Sequence, residues 1–233
     1  VAYLFYHCTS LTTTTSNNYL IIDDGFVNCL FVENYAHMLD GCTSLVNLNV
    51  RINGLLYGGS NNMSFAYLFK DCVNLENLYA NETGPVVSYY TDCEGMYYNC
   101  TSLTSLPFVF SYTGASYVDP RTNSKELNVK FDYIFYNCTG ATSVTFGSSG
   151  FEKFVVSMAH AFENCSNLVE VESPYHGLEN LKNAYMMFAG CSSLEEVDLN
   201  YFANSTNTPN LENMEKMFYK YIEMTLKQVQ TFL

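Results

Sequence analysis

One phrase recurs along this chain and constrains everything else about it. Aligned on cysteine, seven segments read LFYHCTSL, MLDGCTSL, LFKDCVNL, MYYNCTSL, IFYNCTGA, AFENCSNL and MFAGCSSL. Their anchors are Cys8, Cys42, Cys72, Cys100, Cys138, Cys165 and Cys191, spaced by 34, 30, 28, 38, 27 and 26 residues. An eighth segment, MFYKYIEM, places Tyr221 where the cysteine belongs. Self-similarity at such a period marks a chain made by stacking one unit that cannot bury its own apolar face.

The pattern inside one unit sets its expected shape. With the cysteine at position 0, position −3 holds Phe5, Leu39, Phe69, Tyr97, Phe135, Phe162, Phe188 and Phe218. Positions −7 and −4 are apolar too, which predicts one face of a short helix. Position −1 holds His7, Gly41, Asp71, Asn99, Asn137, Asn164 and Gly190, types that tolerate positive φ and so end that helix in a left-handed cap. Beyond the cap, Leu recurs at +3 and apolar residues at +6 and +8, such as Leu48/Val50, Val144/Phe146 and Val197/Leu199. A two-residue period after a turn predicts a short strand with one buried face.

The expected fold is therefore an α/β repeat solenoid, with a parallel strand ladder on one side and short helices on the other. Residues 1–233 read as a single stack of seven to eight coils, with 213–233 as a degenerate last repeat or helical cap. Residue 1 is Val and already lies inside the pattern, so the expectation is a fragment of a longer chain. The surplus residues fall between each strand and the next coil. Asp24-Gly25 within 19–32 predicts a tight hairpin, the stretch 144–156 a similar one, and Ser111–Lys130 a long polar loop.

The frame F-x-x-C-x-[SN]-L-x-x-[LV] resembles the BspA-like leucine-rich repeat family over nearly the whole chain, from Leu4 to Phe218. The spacings here are longer and less regular than in a compact repeat of that type. The resemblance implies a leucine-rich-repeat stack, display at a cell surface, adhesion and protein–protein contact.

Charge and motif content narrow the function classes. A net charge of −13 repels phosphate backbones and anionic lipid, which argues against nucleic acid and membrane-surface partners. No apolar run reaches the roughly 18 residues of a membrane span. Walker loops, dinucleotide glycine fingerprints, G-x-S-x-G and H-E-x-x-H are absent from the sequence, so a non-enzyme is expected. The adjacent His7 and Cys8 read as cap and core, not as base and nucleophile.

Nine cysteines invite a disulfide framework, but seven share one repeated position and Cys93 takes a −7 place, leaving Cys29 outside the frame. Equivalent side chains of a parallel stack point the same way, which is poor geometry for bridging. A ladder of buried free thiols at Cys8, Cys42, Cys72, Cys100, Cys138, Cys165 and Cys191 is expected, with no metal and no cofactor. The N-x-[ST] sequons at Asn99, Asn137 and Asn164 are explained by the cap itself; Asn81 and Asn204 fall in loops.

Strand positions +5 and +7 face outward in such a stack, making Asn47, Asn49, Asn77, Tyr79, Glu170, Glu172, Glu196 and Asp198 the candidate partner surface. Glu170 is expected to face Glu196, and Glu172 to face Asp198, across one strand gap; solvent, a basic partner or Ca²⁺ could offset the repulsion. Tyrosines at −5 and −2 form a second candidate surface. These features predict a non-enzymatic interaction or adhesion module outside a cell, binding protein partners. The alternative is a structural subunit of a virion or surface layer that contacts neighbouring copies of itself.

Overall fold

The computed structural model describes residues 2–12, 20–22, 34–50, 64–80, 86–87, 92–108, 111–112, 129–146, 154–172, 177–197 and 210–220. Coils 1 to 8 are numbered here by their anchors, Cys8 through Tyr221. Eleven strands lie within the described residues: β1 (Leu20–Ile22), β2 (Asn47–Val50), β3 (Asn77–Ala80), β4 (Val86–Val87), β5 (Ser105–Phe108), β6 (Ser111–Tyr112), β7 (Val129–Lys130), β8 (Ser143–Phe146), β9 (Val155–Ser157), β10 (Glu170–Val171) and β11 (Glu196–Val197). Every strand pair among them is parallel.

From coil 2 onward, the strands that follow the caps begin at +5. They make two sheets rather than one ladder, β1-β2-β3 and β5-β8-β10-β11. The break falls where β5 carries Pro107, which has no N–H to donate and is suited to a sheet edge. In coil 1 the strand beside β2 is β1, with Leu20 paired to Leu48 and Ile22 to Val50, so its pairing starts at +12 rather than +5. The hairpin expected within 144–156 does not form. β8 pairs with β5 and β10, whereas β9 pairs with β7, so the two flanking strands belong to different sheets. The Asp24-Gly25 turn, most of the 111–130 loop and residues 221–233 of the expected last repeat or helical cap lie outside the described residues.

The expected helices are replaced by a ladder of turns, and backbone hydrogen bonding explains why. In coil 2, Tyr35, His37, Leu39 and Gly41 donate their N–H groups to Ser64, Ala66, Leu68 and Lys70 of coil 3, at 2.8 to 3.0 Å. The alternate N–H groups of Met38, Asp40 and Cys42 donate within the coil to Tyr35, His37 and Leu39. An α-helix directs every N–H to the carbonyl four residues back, so half the donors here are spent between coils. The same alternation persists to the last pair, where Ala184, Met186, Phe188 and Gly190 donate to Asn213, Glu215, Met217 and Tyr219.

Two positions per coil turn the backbone to make this possible. Position −1 is left-handed as expected, at φ 53–63° for His7, Asp71, Asn99, Asn137 and Asn164 and 73–74° for Gly41 and Gly190. Position −5 is left-handed as well, at Tyr3, His37, Tyr67, Gly95, Tyr133, His160, Met186 and Lys216. Most of these are not residue types that favour that region, so the inter-coil bonds impose it. The N–H at −6 is capped by the side chain at −8: Asn34 Oδ1 accepts from Ala36 at 2.9 Å, and Asp92, Asn183 and Asn213 do the same in their coils. In coil 5 position −8 is Lys130, and Asp132 acts one coil onward, accepting from the N–H of Ala159 at 2.9 Å.

The core is a set of columns along the stack. Rings at −3 stack face to face, with centroids 5.2 Å apart for Phe69–Tyr97 and Tyr97–Phe135, 5.7 Å for Phe135–Phe162 and 5.3 Å for Phe162–Phe188. Such pairs add roughly 0.5–1.5 kcal/mol each beyond the area they bury. Their faces are closed by the neighbouring coils, which is why they are inaccessible in coils 3 to 7.

Candidate functional site

Cysteine at position 0 has a distinct job. Each thiol donates to the −3 carbonyl of the preceding coil: Cys42 to Phe5, Cys72 to Leu39, Cys100 to Phe69, Cys138 to Tyr97, Cys165 to Phe135 and Cys191 to Phe162, all at 3.0 to 3.2 Å. That carbonyl already accepts the N–H of its own coil's cysteine, so the thiol takes its second lone pair. All eight cysteines of the described residues are unbridged. Burial pushes the Cys42 thiol up to about 11 and the Cys138 thiol to about 12, and holds Cys100, Cys165 and Cys191 well above the ordinary range. These are inert structural thiols. Cys8 departs from the expected core role: it is exposed.

The outward strand positions assemble in register. Asn47 pairs with Asn77 and Asn49 with Tyr79 in the first sheet. The Asn77 side-chain amide donates to Asn47 Oδ1 at 2.8 Å, so these two half-buried side chains form one polar step. In the second sheet Ser105, Ser143, Glu170 and Glu196 share one row. Glu170 is thus set beside Glu196, and it is exposed. Glu172 is exposed just beyond β10, and Asp198 lies outside the described residues. Along the first paired position of these strands the residue changes from Asn in the first sheet to Ser and then Glu in the second.

The flank formed by positions −5, −2 and −1 is a second, better-connected polar region. His37 lies between the rings of Tyr3 and Tyr67, with centroids at 4.9 and 5.2 Å. Its Nδ1 is 2.7 Å from the buried Asp40 carboxylate, whose other oxygen faces Lys70 Nζ at 3.7 Å. Lys70 also bonds Asp71 at 2.8 Å. Asn99 donates to Asp71 at 2.7 Å, and Asn137 donates to Asn99 at 2.6 Å. Burial raises the Asp71 carboxyl, but the bonds from Lys70 and Asn99 outweigh it and hold that group below its usual range. Burial and the Glu94 hydrogen bond push the Tyr67 hydroxyl up. The sequence marks the −5 and −2 tyrosines as a second candidate surface, and their stacking across coils follows from the left-handed −5 position. A further signal for this flank is the Asn, Ser or Asp recurring at −8.

A region of BspA-type leucine-rich repeats, in six copies, matches residues 109–232, just over half of the chain. The protein belongs to the BspA-type leucine-rich repeat family. No curated protein matches the chain. A solved structure with a similar outline is that of the T. pallidum leucine-rich repeat protein TpLRR, at 15% identity and a TM-score of 0.45, covering 90% of this chain and 85% of that one.

The described residues of this BspA-type repeat protein bring equivalent positions of successive coils into rows. Among the described residues no cluster of three or more His, Cys, Asp or Glu side chains is arranged to hold a metal ion. Nor is any described helix long and apolar enough to cross a membrane. Repeat stacks of this kind serve protein–protein interaction through extended surfaces.

Proposed function

We propose that this chain is a non-enzymatic protein-binding module displayed outside a cell, where it serves adhesion, and that the outward strand face is its contact surface. The observation that carries the reading is the shared register of Asn47 with Asn77, and of Ser105, Ser143, Glu170 and Glu196, which sets identical positions of successive coils side by side. Parallel rows of side chains at matching positions of successive coils suit a broad protein partner better than a small molecule. The carboxylates at the C-terminal end favour a partner with a basic patch there, and steer its approach.

The test is binding of immobilised chain to a panel of purified host-surface and matrix proteins, repeated with the triple variant Glu170→Lys, Glu172→Lys, Glu196→Lys. A saturable partner whose affinity drops about tenfold or more in the variant, with thermal stability unchanged, supports the strand face. Equal binding by variant and parent overturns it.

A further inference from the structure

The ring column at −5 is interrupted in the middle of the stack. Tyr3, His37 and Tyr67 stack through coils 1 to 3, and Tyr133 stacks on His160 in coils 5 and 6, with centroids 4.4 Å apart at 5°. Between them coil 4 places Gly95, with described coils on both sides. Tyr67 settles over this glycine: a Cβ there would come within 2.3 and 2.5 Å of its ring atoms. That ring meets Tyr98 at 6.4 Å and 59°, Tyr98 stacks on Tyr136 at 4.6 Å and 12°, and Tyr136 meets Tyr133 at 5.9 Å and 57°. Gly95 donates its N–H to Asp132, which makes Tyr133 its next neighbour along the column. Four half-buried tyrosines thus stand around Gly95. His160 covers one face of Tyr133, and among the described residues no ring is stacked on the face toward Gly95. Carboxylates surround the same group. Tyr67 donates its hydroxyl to Glu94 at 2.5 Å, Ser157 and the Ala159 N–H hold Asp132, and His160 holds Glu163. Burial first, and then the charges of Glu163, Asp132 and Glu94, push the Tyr133 hydroxyl up, so all three act on one ring. Among the described residues lysines lie over Tyr185 and Tyr219 and over none of these four rings, and Lys70 is bonded to Asp71.

We propose that Tyr67, Tyr98, Tyr133 and Tyr136 form a cage for an alkylammonium cation, seated on the Tyr133 ring beside Gly95. The face of an aromatic ring attracts a cation through its quadrupole, and tyrosine is well suited to the task. Walls tilted at 57° and 59° to one another enclose a rounded head group from more than one side. A larger residue at position 95 displaces Tyr67 from the group, so the glycine keeps the cage in shape. Glu94, Asp132 and Glu163 make the local potential negative, which draws a cation and not a neutral ligand of the same shape. A choline-type head group and a lysine side chain of a basic protein share this chemistry, and the experiment separates them. The site lies on the turn flank of the coils and uses none of Glu170, Glu172 and Glu196, so it stands apart from the strand face.

The experiment is a ligand-observed NMR titration of the 233-residue chain at about 0.15 M salt, where the net charge of −13 is partly screened. The probes are choline, N-acetyl-lysine amide and the neutral isostere of choline in which tert-butyl replaces trimethylammonium. Saturable binding of choline or of the lysine amide is expected, with no binding of the neutral isostere at the same concentrations. The tighter of the two cations names the source. Tyr133→Leu is expected to weaken that cation about fivefold or more, and Tyr133→Phe, which keeps the ring, to hold its affinity within about twofold. Absence of saturable binding by both cations overturns the proposal, and so does equal binding of the neutral isostere. Equal affinity of Tyr133→Leu and parent overturns it as well, as does a loss in Tyr133→Phe as large as in Tyr133→Leu. Circular dichroism checks folding, and Tyr98→Leu replaces Tyr133→Leu if the latter does not fold.

Discussion

Coil 1 and coil 5 are written in nearly the same phrase, LFYHCTSL and IFYNCTGA, yet they end in different environments. Phe135 and Cys138 are inaccessible to solvent, whereas Phe5 is only half-buried and Cys8 is exposed. Position −1 is left-handed in both, at His7 and Asn137. The local backbone therefore belongs to the phrase and the burial belongs to the neighbours. A single coil supplies geometry; two flanking coils supply the core.

The largest effect expected from this contrast is in the ring column. Phe135→Ala removes a ring held between Tyr97 and Phe162 and is expected to destabilise by about 3–5 kcal/mol. Phe5→Ala, at the half-buried end, is expected to cost less than half as much. Urea unfolding of both variants checks the difference, and equal losses would remove the distinction between middle and end.

A smaller effect is expected in the polar column at −1. Asn99→Ala deletes the link between Asp71 and Asn137 and puts alanine at φ 61°. The expected cost is about 2–3 kcal/mol, the sum of a half-buried hydrogen-bonded group and a left-handed non-glycine, non-asparagine residue. His7→Ala shares the φ constraint but sits at an exposed end, so it is expected to cost about 1 kcal/mol.

The smallest effect is alkaline. The thiols of Cys42 and Cys138 are raised from 9.0 to about 11 and about 12 in the folded chain. Above pH 9 the unfolded chain releases those protons while the folded chain keeps them, so the unfolded state binds fewer and stability falls as pH rises. The contribution is complete below pH 9 and is lost between pH 9 and 12. Replacing Cys138 by Ala is expected to shallow that decline in pH-dependent melting.

Much of this arrangement is legible in the sequence, and the part that is not has a physical cause. The cysteine frame, the left-handed −1 position and the strand positions from +5 follow from residue type and period. The helix expected at −7 to −1 fails because apolar residues at −7, −4 and −3 satisfy a ladder of turns as well as they satisfy a 3.6-residue period. The choice between them is made by inter-coil hydrogen bonds, which leave no mark on residue type. The left-handed −5 position is hidden for the same reason, since Tyr, His, Met and Lys occupy it under tertiary constraint. On the candidate surface, the Glu170–Glu196 pairing follows from the frame, but the split into two sheets turns on the single N–H that Pro107 lacks.

The most direct test of the stacked-coil account is peptide-resolved alkylation of the native chain at neutral pH, comparing Cys8 with Cys72, Cys100, Cys138 and Cys165. Cys8 is expected to be modified promptly, and the other four only as fast as the coils unfold, because their thiols are inaccessible and each donates to a neighbouring coil's carbonyl. Modification of those four at the rate of Cys8 would contradict it.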